Sequence, residues 1–142
     1  MIKNLEVNNN SDIKINKLLI HKIVGLLKNE FNFKISSLLI NFVSTDQIIK
    51  INKIFLNHNY STDIITFSYS KESRIVDSEI YISVKDALSN AEKYGVTFTE
   101  ETLRLVIHGI LHLLGYDDNT PELRVKMKQI ENRLFKKYRK LL

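Results

Sequence analysis

Short β-branched runs alternate with longer segments of helical period along this chain, and that alternation restricts it to folds in which helices cover a sheet. Ile2 to Val7, Ile35 to Val43, Thr62 to Tyr69 and Ser78 to Val84 read as strands, the last two forming a hairpin across the polar turn Lys71 to Arg74. Asp12 can cap a first helix whose apolar residues Ile15, Leu18, Leu19, Ile23, Val24 and Leu27 share one face. Thr45 or Asp46 opens a second, carrying Ile48, Ile49, Ile51, Ile54 and Phe55 and ending at Asn57 to Asn59. A third runs from about Lys85 to Tyr94 and stops at Gly95; Thr97 or Thr99 caps a fourth, with Glu100 and Glu101 in its first turn. Thr120 and Pro121 begin a fifth, with Leu123, Met127, Ile130, Leu134, Tyr138 and Leu141 as its apolar stripe. The expected fold class is α+β: a small mixed sheet packed with about five helices.

The 142 residues contain no internal repeat and a single proline, Pro121, so one domain over residues 1–142 is expected. With no cysteine in the chain, disulfides, thiolate metal ligands and a cysteine nucleophile are excluded together, and any metal must be held by nitrogen and oxygen. The N-terminal segment has no signal-peptide apolar run, and no segment approaches the roughly 18 apolar residues of a membrane span. A cytoplasmic protein with no membrane partner is expected. Net charge is +5 but unevenly spread: Pro121 to Leu142 holds eight Lys or Arg against two Glu, a local +6, leaving the rest at −1. Such a basic segment can attract a polyanion such as RNA, or can simply be a solvated helix face.

Chemistry concentrates in HGILHLLGYDD, His108 to Asp118. Positions i and i+4 share a helix face, so His108 and His112 can point at one ion. Gly115 can take the left-handed conformation that ends a helix, and the returning chain can bring Asp118 back as a third ligand. Three protein ligands leave a fourth position open, as in catalytic zinc sites. The same histidine pair, taken alone, is also compatible with two core-edge residues bonded to backbone. Gly109 occupies the place where the HExxH peptidases keep their general base, which argues against peptide hydrolysis. A bound metal can still lower the pKa of coordinated water to roughly 7, so a nucleophile needs no neighbouring carboxylate. His21 reads as structural or solvated, and His58, in a polar loop before TDIITF, as able to line a site.

These residues resemble a known family. HGILHLLGYDD is similar to the HGxLHLxGYDH signature of the YbeY ribosomal RNA maturation endoribonucleases; NKIFLNHNYSTDIITF, Asn52 to Phe67, resembles that family's N-rich helix end followed by PTDVLSF; and SEIYIS resembles its GDIxIS strand. The resemblance covers nearly the whole chain. It implies one zinc ion per chain on His108, His112 and the third motif position, here Asp118, with Asp117 matching the family's non-ligand aspartate. It further implies single-strand-specific cleavage of RNA, not DNA, in maturation of the 3′ end of small-subunit (16S) ribosomal RNA and in ribosome quality control. Partners would be ribosomal RNA and the small subunit, with Lys53, His58, Lys136, Lys137 and Lys140 as RNA-binding candidates. Three positions depart from the pattern: Asp118 for its histidine, Leu56 for its arginine and Ser61 for its proline. The missing arginine leaves an alternative, a metal-stabilised ribosome-assembly factor that binds ribosomal RNA without cleaving it.

Overall fold

A computed structural model describes residues 1–57 and 62–142; His58 and the three residues after it lie outside the described residues. Four strands form one mixed sheet in the order β1 (Leu5–Asn9), β2 (Lys34–Val43), β4 (Ile75–Ser83), β3 (Ile64–Ser68). Strands β1 and β4 run parallel to β2, whereas β3 returns antiparallel on β4, with Ile64 opposite Ile82 and Phe67 opposite Glu79. The expected hairpin is present. Its period-2 alternation splits the side chains between two cores: Ile80 and Ile82 join the main one, while Tyr81, Ile65 and Phe67 join a smaller one on the other face.

Five α-helices complete the fold among the described residues: α1 (Lys17–Phe31), α2 (Thr45–Leu56), α3 (Val84–Tyr94), α4 (Phe98–Leu113) and α5 (Pro121–Tyr138), followed by a 3₁₀ turn at Arg139–Leu141. Helices α1 and α4 bury Val24, Leu27, Ile107, Ile110 and Leu111 in the main core with Leu38, Ile40 and Phe42 of β2. Each such side chain contributes about 1.5–3 kcal/mol on transfer from water. Helix α2 covers the smaller core through Ile48.

Most helix ends fall where local chemistry puts them. Gly95 (φ 66°) and Asn57 (φ 55°) stop α3 and α2 in left-handed conformations, and Thr120 caps α5 with Pro121 in its first turn. Helix α2 opens at Thr45 as expected, with Ser44 and Gln47 bonding each other's backbone N–H groups.

Two expectations are corrected. Asp12 does not cap α1: the helix starts at Lys17, and the Asn16 side-chain oxygen accepts the Leu19 N–H at 3.1 Å. A cap has to sit directly before the first helical residue, and Asp12 is four residues too early. The first strand is Leu5–Asn9, displaced from Ile2 to Val7, because its parallel register places Leu5 beside Leu38 and Asn9 beside Phe42. The α5 stripe is also narrower than expected. Met127, Leu134 and Tyr138 are buried, Leu123 and Leu141 are exposed at its ends, and Glu131 is buried in its middle.

Candidate metal centre

Helix α4 supplies the histidines on a rigid element. Thr97 and Glu100 start it by reciprocal capping, each side chain accepting the other's backbone N–H at 3.0 Å. Its apolar face lies on the sheet, while Arg104, His108 and His112 recur every fourth residue as one polar stripe beside it. After Leu113 the chain turns through Gly115 at φ 98°, and the Tyr116 N–H reaches back to the Leu111 carbonyl at 3.1 Å. That turn returns Asp117 and Asp118 toward the helix end.

Ligand atoms of His112, Asp117 and Asp118 all lie within 4.8 Å of one another. One imidazole and two carboxylates form a nitrogen–oxygen set suited to a divalent ion, so the donor chemistry fits a metal. Two of the three expected ligands are in this group, Asp117 joins them, and His108 lies outside it. One Asp117 oxygen, Oδ1, accepts the Asp118 N–H at 2.8 Å, while Arg124 donates to the Asp118 carbonyl at 3.2 Å. One turn earlier on α4, His108 Nδ1 sits 3.1 Å from Glu131 Oε2, a close contact of ring nitrogen and carboxylate not aligned as a hydrogen bond. The Glu131 carboxylate raises the His108 pKa above the ordinary imidazole value against the effect of burial; the Asp118 charge acts in the same direction and Arg104 opposes it.

The structure explains Gly109. A Cβ built there would meet Ile64 Cδ1 at 3.0 Å and Ile80 Cδ1 at 3.2 Å, so this position presses on the sheet. A glutamate at residue 109 would have to push Ile64 and Ile80 aside, so the close approach of α4 to the sheet accounts for the glycine. His112 instead borders a cleft of about 330 Å³ whose other walls include Asn52, Leu56, Thr62 and Thr66. Leu56, where the resemblance places an arginine, therefore shares a cleft with His112, and Lys53 is exposed one residue after the lining Asn52.

The remaining candidates are spread out. His21 is buried and accepts the Ile2 N–H at 3.1 Å through Nδ1, a structural role. Lys136, Lys137 and Lys140 are exposed at the far end of α5, where Lys137 pairs with Glu30 at 3.0 Å. The basic residues beside the aspartates are Arg124 and Lys126, the latter lining a cavity with Gly115, Tyr116 and Asp117. Sequence reasoning passes over both; their closeness in sequence to Asp118, on the first turns of a capped helix, is the signal that could reveal them. It also passes over Glu131, which lies four residues after Met127 and so on the same buried face.

The sequence model of the family described as Endoribonuclease YbeY matches residues 2–139. A protein of that name from Chlorobaculum parvum is 41% identical over 128 residues, covering 90% of each chain. Its namesake from Chlorobium phaeobacteroides is 40% identical over 134 residues, covering 94% of each. A solution structure of a Thermotoga maritima protein shares the fold at a TM-score of 0.63 and 26% identity, over 96% of this chain and 92% of that one. A match over nearly the full length, in relatives of nearly equal extent, agrees with the helix, turn and aspartates described above: the chain belongs to the Endoribonuclease YbeY family.

Proposed function

We propose that this protein is a zinc-dependent endoribonuclease that cleaves single-stranded RNA, acting in maturation of the 3′ end of small-subunit (16S) ribosomal RNA and in ribosome quality control. The observation that carries the reading is the convergence of His112, Asp117 and Asp118 at the end of α4, beside an open cleft. His108, His112 and Asp118 are the assigned ligands of one zinc ion per chain. Zinc bound there supplies a Lewis acid for a phosphoryl oxygen and activates water at neutral pH. The chain's own residues do the positioning. His112 and Asp118 fix the reacting end of the cleft, Thr62 and Thr66 offer hydroxyl groups to a ribose or base, and Leu56 supplies apolar contact. Lys53, Lys136, Lys137 and Lys140 attract the phosphate backbone; His58 completes the RNA-contacting set on the strength of its place in the sequence alone. No helix among the described residues is long and apolar enough to cross a membrane, and the assigned location is the cytoplasm.

The deciding experiment incubates zinc-loaded protein with the precursor of small-subunit ribosomal RNA beside a folded His108→Ala/His112→Ala control, and maps new RNA ends. New 3′ ends made by the parent and absent with the control are the expected result. No cleavage by either protein, with RNA binding retained, would overturn the catalytic reading in favour of an assembly factor.

A further inference from the structure

A chain of buried polar contacts runs from His108 into the protein. Glu131 is 4% exposed; its Oε2 faces His108 Nδ1 at 3.1 Å and its Oε1 lies 3.7 Å from an Arg104 nitrogen. Arg104 is gripped twice by the buried Glu101, at 2.8 Å and 2.6 Å. Asn90 then donates to both Glu101 and Asp63, each at 3.1 Å. The chain thus links α5, α4 and α3 to the residue before β3.

Packing alone gives no reason for an acidic residue at position 131. The site lies on the apolar stripe of α5 between Met127 and Leu134, where replacing buried charge by an apolar side chain of similar volume is often neutral or stabilising, the more so because Arg104 keeps Glu101 as its partner. Moreover, Glu131 Oε1 and His108 Nδ1 both lack an aligned hydrogen bond. The carboxylate is set instead between two polar groups of α4, with Oε2 at His108 Nδ1 and Oε1 toward Arg104, an arrangement that points to a role beyond holding helices together.

We propose that Glu131 is a positioning residue for the metal centre: its carboxylate, 3.1 Å from His108 Nδ1, takes the Nδ1 proton as a hydrogen bond once the ring aligns on an ion, leaving Nε2, on the far side of the ring, as the nitrogen offered to that ion. Arg104, fixed by Glu101, keeps the Glu131 charge in place, and Asn90 ties the arrangement to the strand hairpin that walls the cleft. The proposal rests on the zinc reading above. Carboxylates behind metal-bound histidines orient the ring and raise its basicity, and their loss typically weakens metal affinity about 10–100-fold.

The test uses the full chain and Co(II) as probe, measuring its dissociation constant by chelator competition and its visible d–d spectrum. Parent, His112→Ala, Glu131→Met and Glu131→Gln proteins are compared, each with its melting temperature. Glu131→Met should melt at or above the parent temperature yet bind Co(II) about 10–100-fold more weakly, with an altered spectrum. Glu131→Gln, which keeps the volume and one oxygen acceptor, should recover part of the loss and carries the test if the Met variant does not fold. Parent-like affinity and spectrum in the folded Glu131 variants, with binding abolished in His112→Ala, overturn this proposal and leave the zinc reading standing. Failure of the parent itself to bind Co(II) overturns both.

Discussion

Gly109 and Ile64 approach so closely that a Cβ on residue 109 would lie 3.0 Å from the Ile64 Cδ1. The helix bearing the histidines therefore rides directly on the hairpin strand that walls the cleft, and residue 109 faces the sheet. Gly109→Glu should not create a peptidase. It should destabilise the protein by about 3–5 kcal/mol, the cost of an uncompensated buried charge. Urea denaturation measures the loss, and a stable variant that hydrolyses an unstructured protein in the presence of zinc would contradict this placement.

Asp117 and Asp118 both reach His112, but they are not equivalent. One Asp117 oxygen is occupied by the Asp118 N–H, whereas the Asp118 carboxylate also acts electrostatically on His108. Asp118→Ala should therefore weaken Co(II) binding at least about tenfold, and Asp117→Ala by less, with part of its effect coming from the loosened turn. The reverse order in chelator competition would move the third ligand to Asp117.

How far the sequence alone reaches follows from which signals are local. Caps at Thr97 and Thr120 and the stops at Asn57, Gly95 and Gly115 are legible, because each depends on a residue and its neighbours within one turn. The parallel pairing of β2 with both β1 and β4 is not, since register is decided by side chains more than thirty residues apart, such as Leu5 with Leu38 and Ile40 with Ile80. His112 and Asp118 are legible from spacing about one glycine. Glu131 is not, because a charged residue on a basic helix reads as solvated until the facing helix places Arg104 and His108 against it.

Glu30 pins the end of α5 to α1: Tyr138, Lys137 and Arg133 all donate to its carboxylate, at 2.7, 3.0 and 3.0 Å. Burial pushes its pKa up, but these three donors outweigh it and hold the group at about 2, below the ordinary 4.5. A carboxylate depressed in the folded state stabilises fully above its unfolded pKa and loses that contribution as pH falls through the folded one. The cluster should thus stabilise fully above about pH 4.5 and lose its effect toward pH 2. Glu30→Gln should cost about 1–2 kcal/mol at pH 7, discounted for the exposed Lys137 and Arg133. Urea midpoints from pH 7 to 2 should converge for parent and variant at the acid end; a constant gap would assign the effect to packing.

Leu56 stands in the cleft with His112 where the resemblance places an arginine. Leu56→Arg should add a charge-assisted phosphate contact and raise cleavage efficiency on single-stranded RNA about tenfold. The dependence of log binding constant on log salt should steepen by about 0.7, one phosphate on a single strand. An unchanged salt slope would show that the substrate backbone does not pass residue 56.

Two pairs of basic residues, one near the start of α5 and one at its end and in the 3₁₀ turn that follows, are separated along a helix of roughly 27 Å. Arg124 and Lys126 lie beside the aspartates, while Lys136 and Lys140 lie near the other end, where the neighbouring Arg139 pairs with Glu100 at 2.6 Å. Charge attracts RNA at either place, but only a phosphate held near the reacting end orients the scissile bond. Neutralising Arg124 and Lys126 to Gln should therefore lower kcat/KM at fixed salt more than neutralising Lys136 and Lys140. Both pairs should flatten the salt dependence, by up to about 0.7 for each phosphate that the protein no longer neutralises. Equal reductions of kcat/KM from the two pairs would mean that α5 acts as a uniform electrostatic surface, with the substrate path set by the cleft between α2 and α4.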